Sequence, residues 1–398
     1  MNQICLMKNS IQPYAWGSHT AIASLLGQPV PSHHPQAELW MGAHPKAPSQ
    51  IWYQERWQAL DQLISQYPAE LLGPEVSARF DKRLPFLFKV LAADQPLSLK
   101  AHPDKAQAQA GFQHENASGI AIDALHRNYK DDQHKPECIC ALTPFRALCG
   151  FRSIPKIMAL LGPVWPSEFN SALTILTKKG IKSFLRHILT LDHNPRAALI
   201  KKALQNLTAM QTHTEVVLWI LRLAEHHKHD IGVLSPMLLN FVKLAPGQAI
   251  YLPAGQLHVY LDGVGIEVMA NCDNTIRGGL TPKHVDVLEL LKVLDFRPRK
   301  PKIMEGGIQR TGERLYPSQA AEFVLSLFQV SDGHPCSPTR TTGVPEVLLC
   351  YQGRAVIRWS DGAQRLGLSQ GQSALVPAGI KRYSVSGKAT LYRAAVNS

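Results

Sequence analysis

The sequence predicts a mostly β protein with an α-helical insert and two β-barrels of jelly-roll type. Three observations carry this. Gly247 to Tyr260 reads GQAIYLPAGQLHVY and Gly371 to Tyr383 reads GQSALVPAGIKRY, one strand-turn-strand unit written twice. Glycine supplies unusual backbone angles and proline a fixed one, so Pro-Ala-Gly between apolar runs is a tight turn. From about residue 153 to 240 the apolar residues take helical spacing, while on either side they fall into short runs broken by Pro and Gly. Duplicated strand-turn-strand units with turn-rich flanks point to antiparallel barrels.

The elements follow in order. In the first 150 residues, LPFLFKVLA and ECICALTPF are short apolar runs bounded by turn residues, as buried strands are. Cys138 and Cys140 alternate in ECICAL and so share one face of a strand. KIMALLG, SALTILTKKGIKSFLRHIL, AALIKKALQNLTAM and TEVVLWILRLAEHH then repeat their apolar residues at helical intervals. Strands resume after Pro246, KHVDVLELLKVL gives one helix, and Pro298 and Pro301 mark an exit into a linker. EFVLSLFQV, PEVLLCYQGRAVIRWS, QSALVPAG and ATLYRAAV complete the chain as strands. The expected division is a discontinuous β-domain (1–150 plus 241–315), a helical insert (151–240) and a second β-domain (316–398).

Composition narrows the function. The chain has 398 residues, 45% hydrophobic and 18% charged, which excludes a disordered protein. No apolar stretch approaches the roughly 20 residues that span a bilayer, and VVLWILRLA is interrupted by Arg222. MNQICLMKNS lacks the basic start and apolar run of a signal peptide, so a cytoplasmic protein without membrane partners is expected. Seven cysteines without CxxC spacing are read as core residues in a reducing compartment. The net charge of +12 favours anionic partners in general. The cations are dispersed, with no basic arm or tail of the nucleic-acid kind, and a small phosphorylated substrate would need only a few of them; the charge alone does not distinguish the two.

Three residues at strand edges have metal-ligand chemistry. His258 follows the first Pro-Ala-Gly turn, on the same strand face as Tyr260; the second copy has Arg382 at that place. His102 lies in SLKAHPDK and Glu137 opens the ECICAL strand. Two histidines and a carboxylate make a three-ligand zinc set with a position left open, as a catalytic site needs. The denser cluster EHHKHD, Glu225 to Asp230, follows a helix and reads as a hydrated corner. Four cations stand in distinctive surroundings: Lys89, Lys135, Arg277 before Gly278-Gly279, and Lys283. Lys89, within an apolar run, is either a buried ammonium with a partner or an edge lysine reaching solvent.

QPYAWGS, AELWMGAHPK, LPFLFKVL, PLSLKAHPDK, NYKDDQHKPE, LTPFRALCGFR and GIEVMANCDNTIRGGLTPKHVD together resemble type I mannose-6-phosphate isomerases, over nearly the whole chain and in order. The resemblance implies a cupin-like catalytic domain with a helical insert, and a C-terminal cupin-like domain without metal. It implies one zinc per chain, with His102, Glu137 and His258 as ligands. At the place of the family's fourth ligand, a glutamine, this chain has Lys100, whose ammonium has no lone pair for a metal. The implied reaction interconverts mannose 6-phosphate and fructose 6-phosphate through an enediolate. Arg277, Lys135, Glu267, Asp273 and Tyr260 match residues of the family's catalytic site. Ser98, Lys89 and Lys283 match phosphate contacts, and Lys100, Trp16 and Glu38 fall in the substrate pocket. A monomer acting on a small phosphorylated sugar is expected. Rival readings are a non-catalytic sugar-phosphate-binding relative and an isomerase of free sugars.

Overall fold

Strands dominate the computed structural model, which describes residues 2–210, 214–309, 311–338 and 343–397. They form two antiparallel sheets, of ten and eleven strands. Three long helices, Asn170–Leu189, His193–Ala209 and Glu215–His226, lie in the stretch whose periodicity predicts them. Thr214 caps the last, accepting a hydrogen bond from the Val217 amide, and Val217, Ile220 and Leu223 form its buried stripe. No helix among the described residues is long and apolar enough to cross a membrane.

The eleven-stranded sheet is organised around His258–Ala270. The first half of this strand pairs with Leu99–Ala101 and Phe145–Phe151, the second with Phe86–Ala93 and Glu137–Ala141. The change of partners falls at Gly263, where φ is +114° and an added Cβ would lie 2.7 Å from the Pro144 carbonyl oxygen. Only glycine fits that backbone and that approach. Gly387, in the strand Tyr383–Ala395, has φ +110° and an equally close neighbour, the Arg354 carbonyl at 2.6 Å. Gly263 lies ten residues beyond Pro253 and Gly387 ten beyond Pro377. The repeat therefore continues past the turn into the backbone of the long strands.

Alternation along the strands separates two interiors. Cys138, Cys140, Phe86, Phe88 and Val90 face a core shared with Val347, Leu349, Leu375 and Tyr392 of the other sheet. Ile139 and Leu91, on the opposite face, pack toward the helical stretch, in one core with Phe184, Leu199 and Ile220. Leu348, Cys350, Ile357 and Val385 form a third core within the ten-stranded sheet. All seven cysteines are free and buried, as their alternation and scatter imply.

The first 150 residues feed both sheets. Cys5–Lys8 pairs with Ser373–Val376 on one side and Gln50–Tyr53 on the other, and Arg56–Ala59 forms the edge beyond. Three N-terminal strands thus complete the sheet of the C-terminal strands. Local hydrophobic pattern carries no record of such distant pairing.

Candidate metal centre and active site

Three strand ends converge on one point. His102 follows Leu99–Ala101, Glu137 begins Glu137–Ala141, and His258 begins His258–Ala270. Their exposures are 2%, 0% and 1%. The His102 Nε2 lies 3.2 Å from Glu137 Oε1 and the His258 Nε2 3.2 Å from Glu137 Oε2. One ligand atom from each residue lies within 4.8 Å of the others, in the one such group of His, Cys, Asp and Glu among the described residues. EHHKHD supplies none; its Asp230 instead accepts the Gly232 amide and caps a turn.

The imidazoles are oriented from behind. His102 Nδ1 donates to the Asn274 carbonyl at 2.7 Å and His258 Nδ1 to the Gln256 carbonyl at 2.8 Å, since a carbonyl only accepts. Each ring therefore turns Nε2 toward Glu137, the arrangement that positions metal-binding histidines. Burial, opposed by Glu137 and aided by Lys135, pushes His102 down to about 3, so the ring is neutral. Burial would raise the Glu137 carboxyl, but Lys100 and Lys135 outweigh it and hold it well below the usual range. Both Nε2 atoms and both Glu137 oxygens are buried without hydrogen-bond partners. Four converging, unpartnered acceptor atoms are costly in a protein interior. A divalent cation would satisfy all four, and the donor set fits zinc.

A second group lies beside the first. Lys89 and Glu267 pair in register, as do Trp40 and Lys89. The Lys89 ammonium is buried, 3.2 Å from Glu267 Oε2 and 3.5 Å from Glu38 Oε2. Burial works against that charge, and Glu38 and Glu267 more than restore it. Lys89 is thus a partnered interior ammonium and does not reach solvent. Glu267 accepts the Tyr260 hydroxyl at 2.9 Å with its other oxygen, and Trp40 Nε1 donates to Glu38 at 2.6 Å. Lys135 Nζ stands 3.4 Å from Glu137 Oε1, and Lys100 Nζ 5.6 Å from the Tyr260 ring centroid.

The remaining cations are less committed. Arg277 is half-buried and makes no hydrogen bond or ion pair among the described residues; burial lowers its pKa. Burial, with Arg277 and Lys46 nearby, also lowers Lys283, whose chain is exposed. Asp273 binds Lys46 Nζ at 2.8 Å and lies 3.4 Å from His44 Nε2. Burial opposes its charge, but His44 and Lys46 hold it far below the usual range. Asp273 keeps 27% of its side chain exposed, against 2% for Glu267. Trp16 stacks on Tyr14 with centroids 5.7 Å apart, and Ser98 is half-buried beside the strand of Lys100.

Residues 4–154 match the profile described as phosphomannose isomerase type I, catalytic domain. Mannose-6-phosphate isomerases of Shigella flexneri and Escherichia coli (strain K12) are each 39% identical to this chain, over 97% of both partners. The chain belongs to the type I phosphomannose isomerase family. A crystal structure of the Salmonella typhimurium mannose 6-phosphate isomerase, bound to fructose 6-phosphate and zinc, is similar with a TM-score of 0.90 and 38% identity. The similarity covers 99% of this chain and 100% of that one.

In this phosphomannose isomerase relative, the structure brings to the site three residues that sequence reasoning did not single out. His44 and Lys46 lie in AELWMGAHPK, where no periodicity marks them. Asn274 is fully buried; its side chain accepts the Lys130 amide at 2.7 Å and donates to the Asp131 and Gln133 carbonyls at 2.7 and 2.9 Å. Its own carbonyl holds His102. One asparagine thus ties the loop carrying Lys135 to a candidate metal ligand. The signal lay in the resemblance block NCDNTIRGG, not in spacing.

Proposed function

We propose that this chain is a zinc-dependent mannose-6-phosphate isomerase, interconverting mannose 6-phosphate and fructose 6-phosphate. The observation that carries the reading is the cluster of His102, Glu137 and His258, with four buried nitrogen and oxygen atoms turned toward one another and Arg277 on the next strand but one in register with His258. These three residues hold the metal. Bound there, zinc supplies Lewis acidity to the carbonyl and hydroxyl oxygens of the open-chain sugar.

The protein's own groups do the rest. Moving a proton from carbon 2 to carbon 1 builds negative charge on the two sugar oxygens in an enediolate. Arg277 meets that charge with a guanidinium that nothing else neutralises, in a half-buried place where the interaction is strong. Lys135 and Lys100 add positive charge on the Glu137 side. Glu267 has both oxygens engaged, so it fixes the Tyr260 hydroxyl and the Lys89 ammonium at the pocket floor. Asp273 is the carboxylate a substrate reaches from outside. Ser98 and Lys283 take the phosphate, with Lys89 contributing from within, while Glu38 and Trp16 shape the pocket; hydroxyl and ammonium donors suit that anion.

The fold fits the same reading. Paired turns, matched glycines and long strands support two cupin-like barrels, residues 1–150 plus 241–315 and 316–398, with 151–240 inserted. The second binds no metal, and the enzyme works as a cytoplasmic monomer.

The test is turnover of mannose 6-phosphate by the purified protein, before and after chelation and on zinc return. Activity should vanish with the metal and come back with it. A metal-free protein that binds sugar phosphate without turnover would favour the non-catalytic reading. Equal rates on mannose and mannose 6-phosphate would remove the phosphate contacts.

A further inference from the structure

Lys100 sits in the middle of the site. In backbone register it lies opposite His258 on one neighbouring strand and opposite Arg277 on the other. Directly paired residues of antiparallel strands project to the same face, so all three side chains share one surface. Tyr260, two residues along from His258, shares it too, and the Lys100 ammonium lies over that ring. Among the charges around Glu137, Lys100 exerts the strongest pull on that carboxylate.

Two cations side by side on a sheet repel one another. Lys100 and Arg277 are held side by side by register, so each favours a negative group in front of it. Glu137 supplies that charge to Lys100 and not to Arg277, which has no ion pair among the described residues, and Lys135 reaches Glu137 from another direction at 3.4 Å. The cluster therefore contains a cation of its own before any metal enters. A divalent ion arriving between His102, Glu137 and His258 gains the carboxylate but meets the Lys100 charge.

We propose that Lys100 is a resident counter-cation for Glu137, which holds the metal-free site together and makes the bound metal weaker and faster to leave. This rests on the zinc reading above and adds regulation of metal occupancy to it. At an effective dielectric of about 20, repulsion between a lysine and a divalent ion one shell away is worth at least ~10-fold in affinity.

The experiment measures zinc affinity by chelator competition on the full chain, for the native protein, Lys100→Met, Lys100→Gln and Lys100→Arg. Lys100→Met removes the charge without adding a ligand, so it should bind zinc at least ~10-fold more tightly and release it more slowly. Lys100→Arg keeps the charge and should stay within ~3-fold of the native affinity. Without metal, Lys100→Met should melt below the native protein; with zinc the difference should close. A gain confined to Lys100→Gln would mean that lysine merely lacks a lone pair, and would overturn the proposal. If Lys100→Met does not fold, the contrast between Lys100→Arg and Lys100→Gln in metal-free melting decides instead, equal melting counting against it. Unchanged affinity in Lys100→Met, with a zinc-dependent native enzyme, overturns this inference alone. No zinc binding by any form overturns the functional reading with it.

Discussion

The two Pro-Ala-Gly units end in opposite chemistry. The first delivers His258 to a buried cluster whose nitrogen and oxygen atoms face one another without hydrogen bonds. The second leads through exposed Arg382 to Tyr383, whose hydroxyl donates to buried Glu346 at 2.7 Å. Arg393 lies 3.5 Å from the same Glu346, donates to Ser326 at 3.0 Å and pairs with Glu313. Burial opposes the Arg393 charge, and Glu346, Tyr383 and Glu313 together secure it. Both sheets bury carboxylates; only their partners differ. A protein interior can close its charges on one another, or leave acceptors converging for an ion from outside. The first arrangement serves structure, the second chemistry.

The sharpest test of this contrast is Glu137→Ala. It should abolish bound zinc, and lower isomerase turnover by more than the ~100- to 1,000-fold typical of losing one oxyanion donor. Elemental analysis and a sugar-phosphate assay check both; a variant retaining one zinc and full rate would break the comparison. In the other sheet, Arg393→Met strips two carboxylates of a buried partner and should cost about 3–5 kcal/mol in denaturant unfolding. Its zinc content should not change, and a loss of metal there would show that the sheets are not separate in function.

The glycine pair gives a finer measure. Gly263→Ala and Gly387→Ala each force a Cβ against a carbonyl at positive φ, and each should destabilise by more than about 1 kcal/mol. Only Gly263→Ala should also lower zinc occupancy, because its strand carries His258. The smallest effect is expected of Arg382→His, which puts the first copy's ligand type into the second. At an exposed position the change in stability should stay within about 0.5 kcal/mol, and zinc should remain at one per chain. A second bound zinc would undo the distinction.

How much of this was legible in the sequence depends on distance along the chain. The turn, the alternation of Cys138 and Cys140, and the helical stretch are local signals, and the structure has them. Lys89 could be marked as unusual from its apolar neighbours. Its partners Glu38 and Glu267 could not be named, because they arrive from separate strands. His102, Glu137 and His258 were candidates by chemistry and strand position, but no spacing rule joins them; the convergence of three strand ends does. His44, Lys46 and Asn274 act through loops and backbone carbonyls, which leave no periodic trace. The placement of Cys5–Lys8 beside Ser373–Val376 lay furthest from local reading.

That pairing governs the order in which the protein can be completed. A ribosome releases Cys5–Lys8 long before it reaches Ser373–Val376, so the earlier strand must wait for the later one. During that interval the nascent chain carries a strand with an unpaired hydrogen-bonding edge, the kind of surface that recruits wrong neighbours. The metal cluster has no such delay, since all its ligands emerge by His258. The metal ligands can thus meet before Ser373–Val376 is made, while the core shared by the two sheets waits for it.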